Sequence, residues 1–452
     1  MNSRSMDLTR GPLLPGIIRF TIPIILSGIL QLLFNAADLM VVGQFCGSIS
    51  VGAVSSTTAL TNLIVNLFIG LSVGAGVCVA HAYGRREDLV LHQTIHTAIP
   101  VALISGVILT VLGVCFSRPL LRLMDTPEDV LPLSALYMAI YFGGITFTVL
   151  YNFCSSMLRA MGDARSALIY LTIAGALNVV LNLVFVILFH MNVAGVALAT
   201  ILSQALSAVL TLRALMCRTD ACRFRFRDAR IYWEPLRKMI CIGMPAGIQG
   251  CLFSASNVII QSSINSFGSA AFMAGNGAAA NIEGFVWTSM NALNQSAVNF
   301  IGQNLGARQF RRIRQVFWGC LGCVTVLGMV MGGTGYYFAP VLLRFYIPDS
   351  PEAIAYGVTR MSWICLPYFT CGLMDVVTGA LRGLGKSFFP MIVTVLGVCG
   401  FRIAWIYTVF QIPRYHTPNC LYASYIISWL ITFFIQFLLF WYAYRKLEAA
   451  ED

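Results

Sequence analysis

Residues 20–44 read FTIPIILSGILQLLFNAADLMVVGQ. About 25 residues of this apolar composition suit one membrane-spanning helix. Two features separate the stretch from an inert span. Pro23 lacks a backbone N–H, which gives the helix a point at which to bend. Asp38 puts a carboxylate toward the far end, with Asn35 and Gln31 three and seven residues before it on the same helix face. A polar stripe on a lipid-spanning helix turns to a bundle interior or a water-filled cavity, and an acid there marks an ion or substrate pathway. The stretch predicts a membrane bundle in which Asp38 holds a coupling cation, Gln31 and Asn35 line a substrate cavity and Pro23 is a hinge. The competing reading is a structural carboxylate satisfied by a neighbouring helix.

The chain around it has the same character. Of 452 residues, 58% are hydrophobic and 10% charged, against about 25% charged in soluble domains. Twelve apolar blocks stand out, at about 15–42, 51–80, 93–116, 131–156, 166–190, 193–216, 236–263, 272–301, 315–343, 354–380, 387–411 and 420–444. Each is long enough to span, and helices close their own hydrogen bonds in lipid. The expectation is an all-α polytopic membrane protein with twelve transmembrane helices and no large soluble domain. The first block is too long for a signal peptide and lacks a convincing cleavage site. Most of the fourteen cysteines lie inside apolar blocks and behave as small hydrophobes. The CxxC of Cys320 and Cys323 has no second pair, so neither a metal site nor a cofactor is expected.

Charge orients the chain. With the N-terminus inside, the inside segments carry 23 of the 29 Lys and Arg, and the outside ones carry Arg118, Arg122, Arg344 and Arg414. That asymmetry predicts cytoplasmic termini. The net charge of +11 is thus topology rather than a nucleic-acid footprint. The basic connection 217–235, CRTDACRFRFRDARIYWEP, is expected to carry a surface helix against anionic lipid headgroups.

The halves on either side of that connection repeat. Pro23 pairs with Pro245, Asn35 with Asn257 and Gly84 with Gly306; Arg159 pairs with Arg382 and Gly162 with Gly385; residues 124–128 (MDTPE) pair with 348–352 (PDSPE). The expected organisation is a six-helix bundle over 1–216, a linker over 217–235 and a second bundle over 236–452. An even helix count keeps both halves in one orientation, related by a pseudo-twofold axis along the membrane normal. Two such bundles facing a central cavity suit alternating access. Asp38 pairs with Ile260, so an acid stands at this point in the first half alone.

Other intramembrane polar residues are few. Asn178 and Asn182 share one helix face, and amide oxygens suit sodium or a protonated acid; interhelical hydrogen bonding is their plainer role. Glu283 and Asp375 are candidates to neutralise a cationic substrate or to partner Arg360 or Arg402, and Arg402 is expected to meet an acid. Met290, with Met273 and Met374, would line an adaptable cavity. Tyr151, with Phe147, Phe253, Phe285 and Trp287, would stack on aromatic cations. The RGLGKS run at 382–387 lacks the first glycine of a phosphate loop, Ala380 standing there, and no strand precedes it. An ATP-driven pump is therefore excluded.

The sequence VNFIGQNLGA at 298–307, its weaker echo HAYG at 81–84, LRAMG at 158–162, LRGLG at 381–385, NVVLN at 178–182 and GVALAT at 195–200 together resemble the multidrug and toxic compound extrusion (MATE) family, prokaryotic branch. Asp38, followed by five residues and then Gln44, fits that family's first-span acid. The resemblance implies a monomeric antiporter of a prokaryotic inner membrane. It would export amphipathic, often cationic small molecules in exchange for protons or sodium ions. It places the cation site on Asp38, Asn178, Asn182 and Thr200. Asn182 departs from members that carry a second acid there, which leaves the ion's identity open, and His81 departs from Gln303 of the second half. A flippase for a lipid-linked precursor is the alternative on a related scaffold; it would call for a strongly cationic cavity and often extra spans.

Overall fold

The computed structural model describes residues 5–123, 128, 130–348 and 350–449. Among them there is no β-strand. Helices α1 (Leu13–Phe45), α2 (Ser48–Arg85) and α3 (Asp88–Leu123) open the chain. Helices α4 (Leu131–Gly143) and α5 (Ile145–Ala160) form one path bent by 47°. Next, α6 (Ala164–Leu183) runs on into a π-helical turn, Val184–Leu188, and α7 (Asn192–Met216) closes the first half. The second half follows the same plan. It comprises α8 (Trp233–Asn265), α9 (Ala270–Gly306), α10 (Phe310–Tyr337) with the short α11 (Ala339–Tyr346), and the successive α12 (Pro351–Trp363) and α13 (Phe369–Gly383). Then α14 (Phe388–Thr394) passes through π-helical Val395–Gly400 into α15 (Phe401–Tyr407), and α16 (Pro418–Glu448) ends the series.

Among the described residues nine helices are long and apolar enough to cross a membrane, or ten with the bent α4–α5 pair taken as one. Two more of the predicted passes, α9 and α12–α13, are longer on polar groups. Helix α9 carries Glu283 amid six asparagines and two glutamines, and α12–α13 carries Arg360, Asp375 and Arg382. The polarity that lowers their hydropathy is the polarity that unit 2, below, buries.

The repeat is visible in the turns. Gly162 and Gly385 have φ of 84° and 76°, a left-handed conformation that glycine adopts without Cβ strain. Around them Asp163 N donates to Leu158 O and Lys386 N to Leu381 O, each at 2.9 Å, closing α5 and α13 with the same cap. Arg86 and Arg308 likewise share a left-handed φ, 58° and 53°, after α2 and α9. The pairing of 124–128 with 348–352 falls partly outside the described residues.

The chain folds into two compact units. Unit 1 holds Leu26–Gly247 with the N-terminal residues up to Leu8, and unit 2 holds Thr9–Ile25 with Ile248 onward. The division does not follow chain order: α1 and α8 each change unit along their length. Both do so two residues after a proline, Pro23 in α1 and Pro245 in α8. A proline removes the bond to the carbonyl four residues earlier, so each seam falls where the helix ladder is interrupted.

In unit 1, α2 meets the first part of α8 through glycines. A Cβ on Gly74 would lie 2.3 Å from Met239 O, and one on Gly70 2.2 Å from Gly247 N. Gly70 and Gly74 face Gly243 and Gly247 in a small-xxx-small crossing that brings backbones together. In unit 2 the equivalent crossing joins α1 to α9. There Thr21 and Ser296, the counterparts of Gly243 and Gly74, hydrogen-bond at 2.8 Å.

The 217–235 connection lies within unit 1 and carries a single 3-10 turn, Phe226–Asp228, rather than the expected surface helix. It is tied to α3: Arg225 N donates to His96 Nε2 and Tyr232 N to Thr97 Oγ1, both at 3.1 Å. These backbone donors have side-chain acceptors in place of a helical ladder, which accounts for the missing helix.

Candidate functional site

In unit 1, α1, α6 and α7 bring their polar residues to one point. Asn182 Nδ2 donates to Asp38 Oδ1 and also to Asn178 Oδ1 at 3.3 Å. The Thr200 hydroxyl of α7 acts on the same carboxyl, while it donates to Val196 O at 2.9 Å. Asp38 is half-buried; Asn178 and Asn182 are buried. Beside them sits an apolar cluster of Val41, Val42, Val54, Val186, Val193 and Val196, against which Tyr137 of α4 packs. Tyr137 also feels the Asp38 charge. Sequence reasoning missed it, because a tyrosine in an apolar block carries no spacing signal that relates it to α1.

Asn182 Oδ1 is buried and has no hydrogen-bond partner among the described residues. A buried acceptor without a donor carries a desolvation cost of about 1–3 kcal/mol. Two occupants would relieve it. A sodium ion takes hard oxygens, and Asp38, Asn182, Asn178 and Thr200 supply them. A proton on Asp38 turns the carboxylate into a donor, and a turn of the Asn182 amide then pairs acid with amide in both directions. The residues present fit either cation.

Unit 2 buries more charge and pairs most of it. Arg360 Nε and Nη2 donate to the two Glu283 oxygens at 3.0 and 2.8 Å, and Arg360 Nη1 to Asn276 Oδ1 at 3.2 Å. Tyr422 OH donates to the same Asn276 oxygen at 2.7 Å, and Asn276 Nδ2 to Phe272 O at 2.9 Å. The bidentate pair is thereby a closed network. Of the two partners the sequence offered Glu283, a cationic substrate or an arginine, the structure shows Arg360.

Asp375 is half-buried, and Asn294 Nδ2 bonds its backbone oxygen at 2.8 Å. Its carboxylate makes no hydrogen bond or ion pair among the described residues, and its main electrostatic neighbour is Arg382. Arg402 corrects the expectation of an acid partner. It is 1% exposed, donates from Nε to Ser428 Oγ at 3.0 Å, and lies over the rings of Tyr425 at 4.1 Å and Trp429 at 5.5 Å. Among the described residues no carboxylate pairs with it, and its Nη2 has no hydrogen-bond partner. Cation–π contact is worth about 0.5–2 kcal/mol, against several kcal/mol to desolvate the charge. The aromatic seat does not balance the burial.

The other candidates are dispersed. Gln31 and Asn35 are exposed on the unit 1 part of α1, and Pro23 is buried on its unit 2 part. Tyr151 is buried within unit 1, where it feels the Arg159 charge. Met290 is fully buried in unit 2, its sulfur 2.8 Å from the position of a Cβ on Gly372. His92, His96 and Asp228 lie close enough together to hold a metal ion. His96 is committed elsewhere, however: its Nε2 accepts from Arg225 N, which leaves Nδ1 as the donor to His92 O at 2.8 Å.

Comparison with known proteins places this arrangement. The MatE family model matches residues 23–184 and 245–408, one match in each half. The chain is 28% identical over 398 residues to "Probable multidrug resistance protein YpnP" of Bacillus subtilis (strain 168), covering 87% of each. It is 25% identical over 382 residues to "FAD transporter" of Shewanella oneidensis, covering 83% of this chain and 82% of that one. Among solved structures, an outward-facing multidrug resistance MATE family transporter matches with a TM-score of 0.91 at 20% identity, over 99% of this chain and all of that one. A MATE in complex with MaL6 matches with a TM-score of 0.92 at 19% identity.

Proposed function

The chain belongs to the MatE family, and from that membership we propose that it is a secondary antiporter exporting amphipathic compounds in exchange for protons or sodium ions. The observation that carries the coupling half of this reading is the Asp38 carboxylate held by Asn182, whose own Oδ1 is an unused buried acceptor. Multidrug export in the names of relatives, YpnP among them, supports the substrate half. The termini lie on the cytoplasmic side, following the distribution of Lys and Arg.

The cycle needs a site that exchanges cation and compound on opposite sides of the membrane. Outward-open, Asp38 takes the cation and its charge is neutralised. The Asn182–Asp38 bond loses its ionic character, and α1 is released to bend or straighten at Pro23, where it also changes unit. The cation leaves inward and a new compound binds. An inward-moving unit charge gains about 2.3 kcal/mol per 100 mV, and each pH unit adds about 1.4 kcal/mol. Together these sustain a gradient of a neutral compound on the order of a hundredfold or more.

The test is dye efflux from proteoliposomes under a pH jump, with and without sodium, for wild type and Asp38→Asn. The variant keeps size and removes the titrating charge. Accumulation should fall from about a hundredfold toward unity, and the cation that restores wild-type efflux names the coupling ion. Undiminished gradient-driven efflux in Asp38→Asn would sink the assignment.

A further inference from the structure

Unit 2 contains a charge that the export cycle above does not use. Arg402 cannot shed its proton under ordinary conditions, and among the described residues it has no acid partner and its buried Nη2 has no acceptor. Beside it, Trp429 is 2% exposed and its indole Nε1 is a second buried donor without a partner. Both ring systems that flank Arg402 come from α16, and Tyr368 packs on Trp429 at 5.3 Å. Arg402 lies two residues after the π-helical segment Val395–Gly400, and such departures from α-helical register recur at functional positions. Helix α16, which carries both rings, packs against α13.

Resting on the export reading, we propose that Arg402 and Trp429 form an anion subsite in unit 2, so that the exported compound carries a carboxylate or phosphate on an apolar body. A guanidinium fork matches such a group with two parallel bonds, and the indole N–H adds a third donor. The aromatic rings that now cover Arg402 supply the apolar wall. The subsite is closed in this state, and the transport cycle opens it.

The probe is one rhodamine dye in two forms, the free acid and the ethyl ester, which differ in a single carboxylate. Binding is read by fluorescence anisotropy on the purified full-length protein in detergent. Wild type should bind the acid about tenfold more tightly than the ester, the size expected for a charge-assisted hydrogen-bonded pair. In Arg402→Gln that ratio should fall to about one; Arg402→Lys should keep part of it. Should Arg402→Gln fail to fold, Trp429→Phe retains the ring, removes only the N–H, and should lower the ratio about threefold. Equal affinity of wild type for the two forms, no binding of the acid, or an unchanged ratio in the variants overturns the proposal. Displacement of the acid dye by phosphatidylglycerol supports the anion subsite but makes a lipid headgroup its occupant, which overturns the claim that it seats the exported compound. Ester efflux under a pH gradient reads the exporter assignment separately. A preference without efflux leaves the subsite standing and fails that assignment; efflux without a preference does the reverse.

Discussion

The two units share a scaffold and differ in which polar groups they bury. Their caps match at Gly162 and Gly385 and at Arg86 and Arg308, and their long helices change unit after equivalent prolines. At the position of Asp38, however, unit 2 has Ile260, buried at 2%. On the span that gives unit 1 Asn178 and Asn182, unit 2 places Arg402, within a residue or two of the counterpart of Asn178. Among the buried atoms without a partner in the described residues are the acceptors Asn182 Oδ1 and Gln204 Oε1 in unit 1 and the donors Arg402 Nη2, Arg382 Nε and Trp429 Nε1 in unit 2, with several hydroxyls in each. The fold is thus carried by turns and helix crossings that tolerate this exchange, and the chemistry by a few buried polar groups.

The contrast also separates closed charges from open ones, and the closed pair gives the largest expected effect. Glu283→Gln leaves Arg360 buried without its acid, and removing one partner of a buried pair costs about 3–5 kcal/mol. Thermal melting should show a large drop, while the double variant Glu283→Gln/Arg360→Met recovers most of it, since no lone charge remains. A single variant that melts like wild type would mean the network is not closed, and the distinction from Arg402 would go with it.

Next in size is the crossing of α2 on α8. Gly74→Ala forces a Cβ into the Met239 carbonyl, and overpacking of this kind costs about 1–3 kcal/mol. The melting midpoint of the purified protein reads it, and an unshifted midpoint would show that α8 can slide away at no cost. Asn182→Leu keeps approximate volume and removes both the donor to Asp38 and the spare acceptor. Half-saturation of efflux by the coupling ion should rise about tenfold, equivalent to one charge-assisted hydrogen bond. An unchanged ion dependence would take Asn182 out of the cation site.

Much of this was legible in the chain. The 222-residue offset follows from pairs such as Pro23 and Pro245, because duplicated turns and kinks keep their special residues. The juxtaposition of Asp38 with Asn182 followed from helical periodicity together with the family resemblance. What escaped depends on tertiary packing. No local pattern says that α1 and α8 divide between units, since the glycines of the α2–α8 crossing look like ordinary small residues in an apolar block. Hydropathy under-reads α9 and α12–α13 because their polar groups face protein rather than lipid. Arg402 was expected to find an acid because buried arginines usually do; its actual neighbours, Tyr425 and Trp429, are one turn apart on α16, a spacing that core aromatics share.

The smallest effect discriminates most finely between the units. Where unit 1 uses Gly74 against Gly243, unit 2 uses Ser296 against Thr21, at 2.8 Å. Thr21 Oγ1 also donates to Ile17 O at 2.7 Å, and Ser296 Oγ to Ala292 O at 2.9 Å. Two hydroxyl protons therefore serve three bonds, and the cross-link is held by sharing. Losing it strands no buried group, because each hydroxyl falls back on its own helix. Ser296→Ala should cost about 0.6 kcal/mol, the average for an interhelical hydrogen bond in a membrane bundle. Thr21→Val should cost the same, and the double variant no more than either alone. Additive losses would mean that the two hydroxyls act separately. The unit 2 crossing would then be held by backbone proximity, as in unit 1, and the difference between the units at this point would be one of composition only.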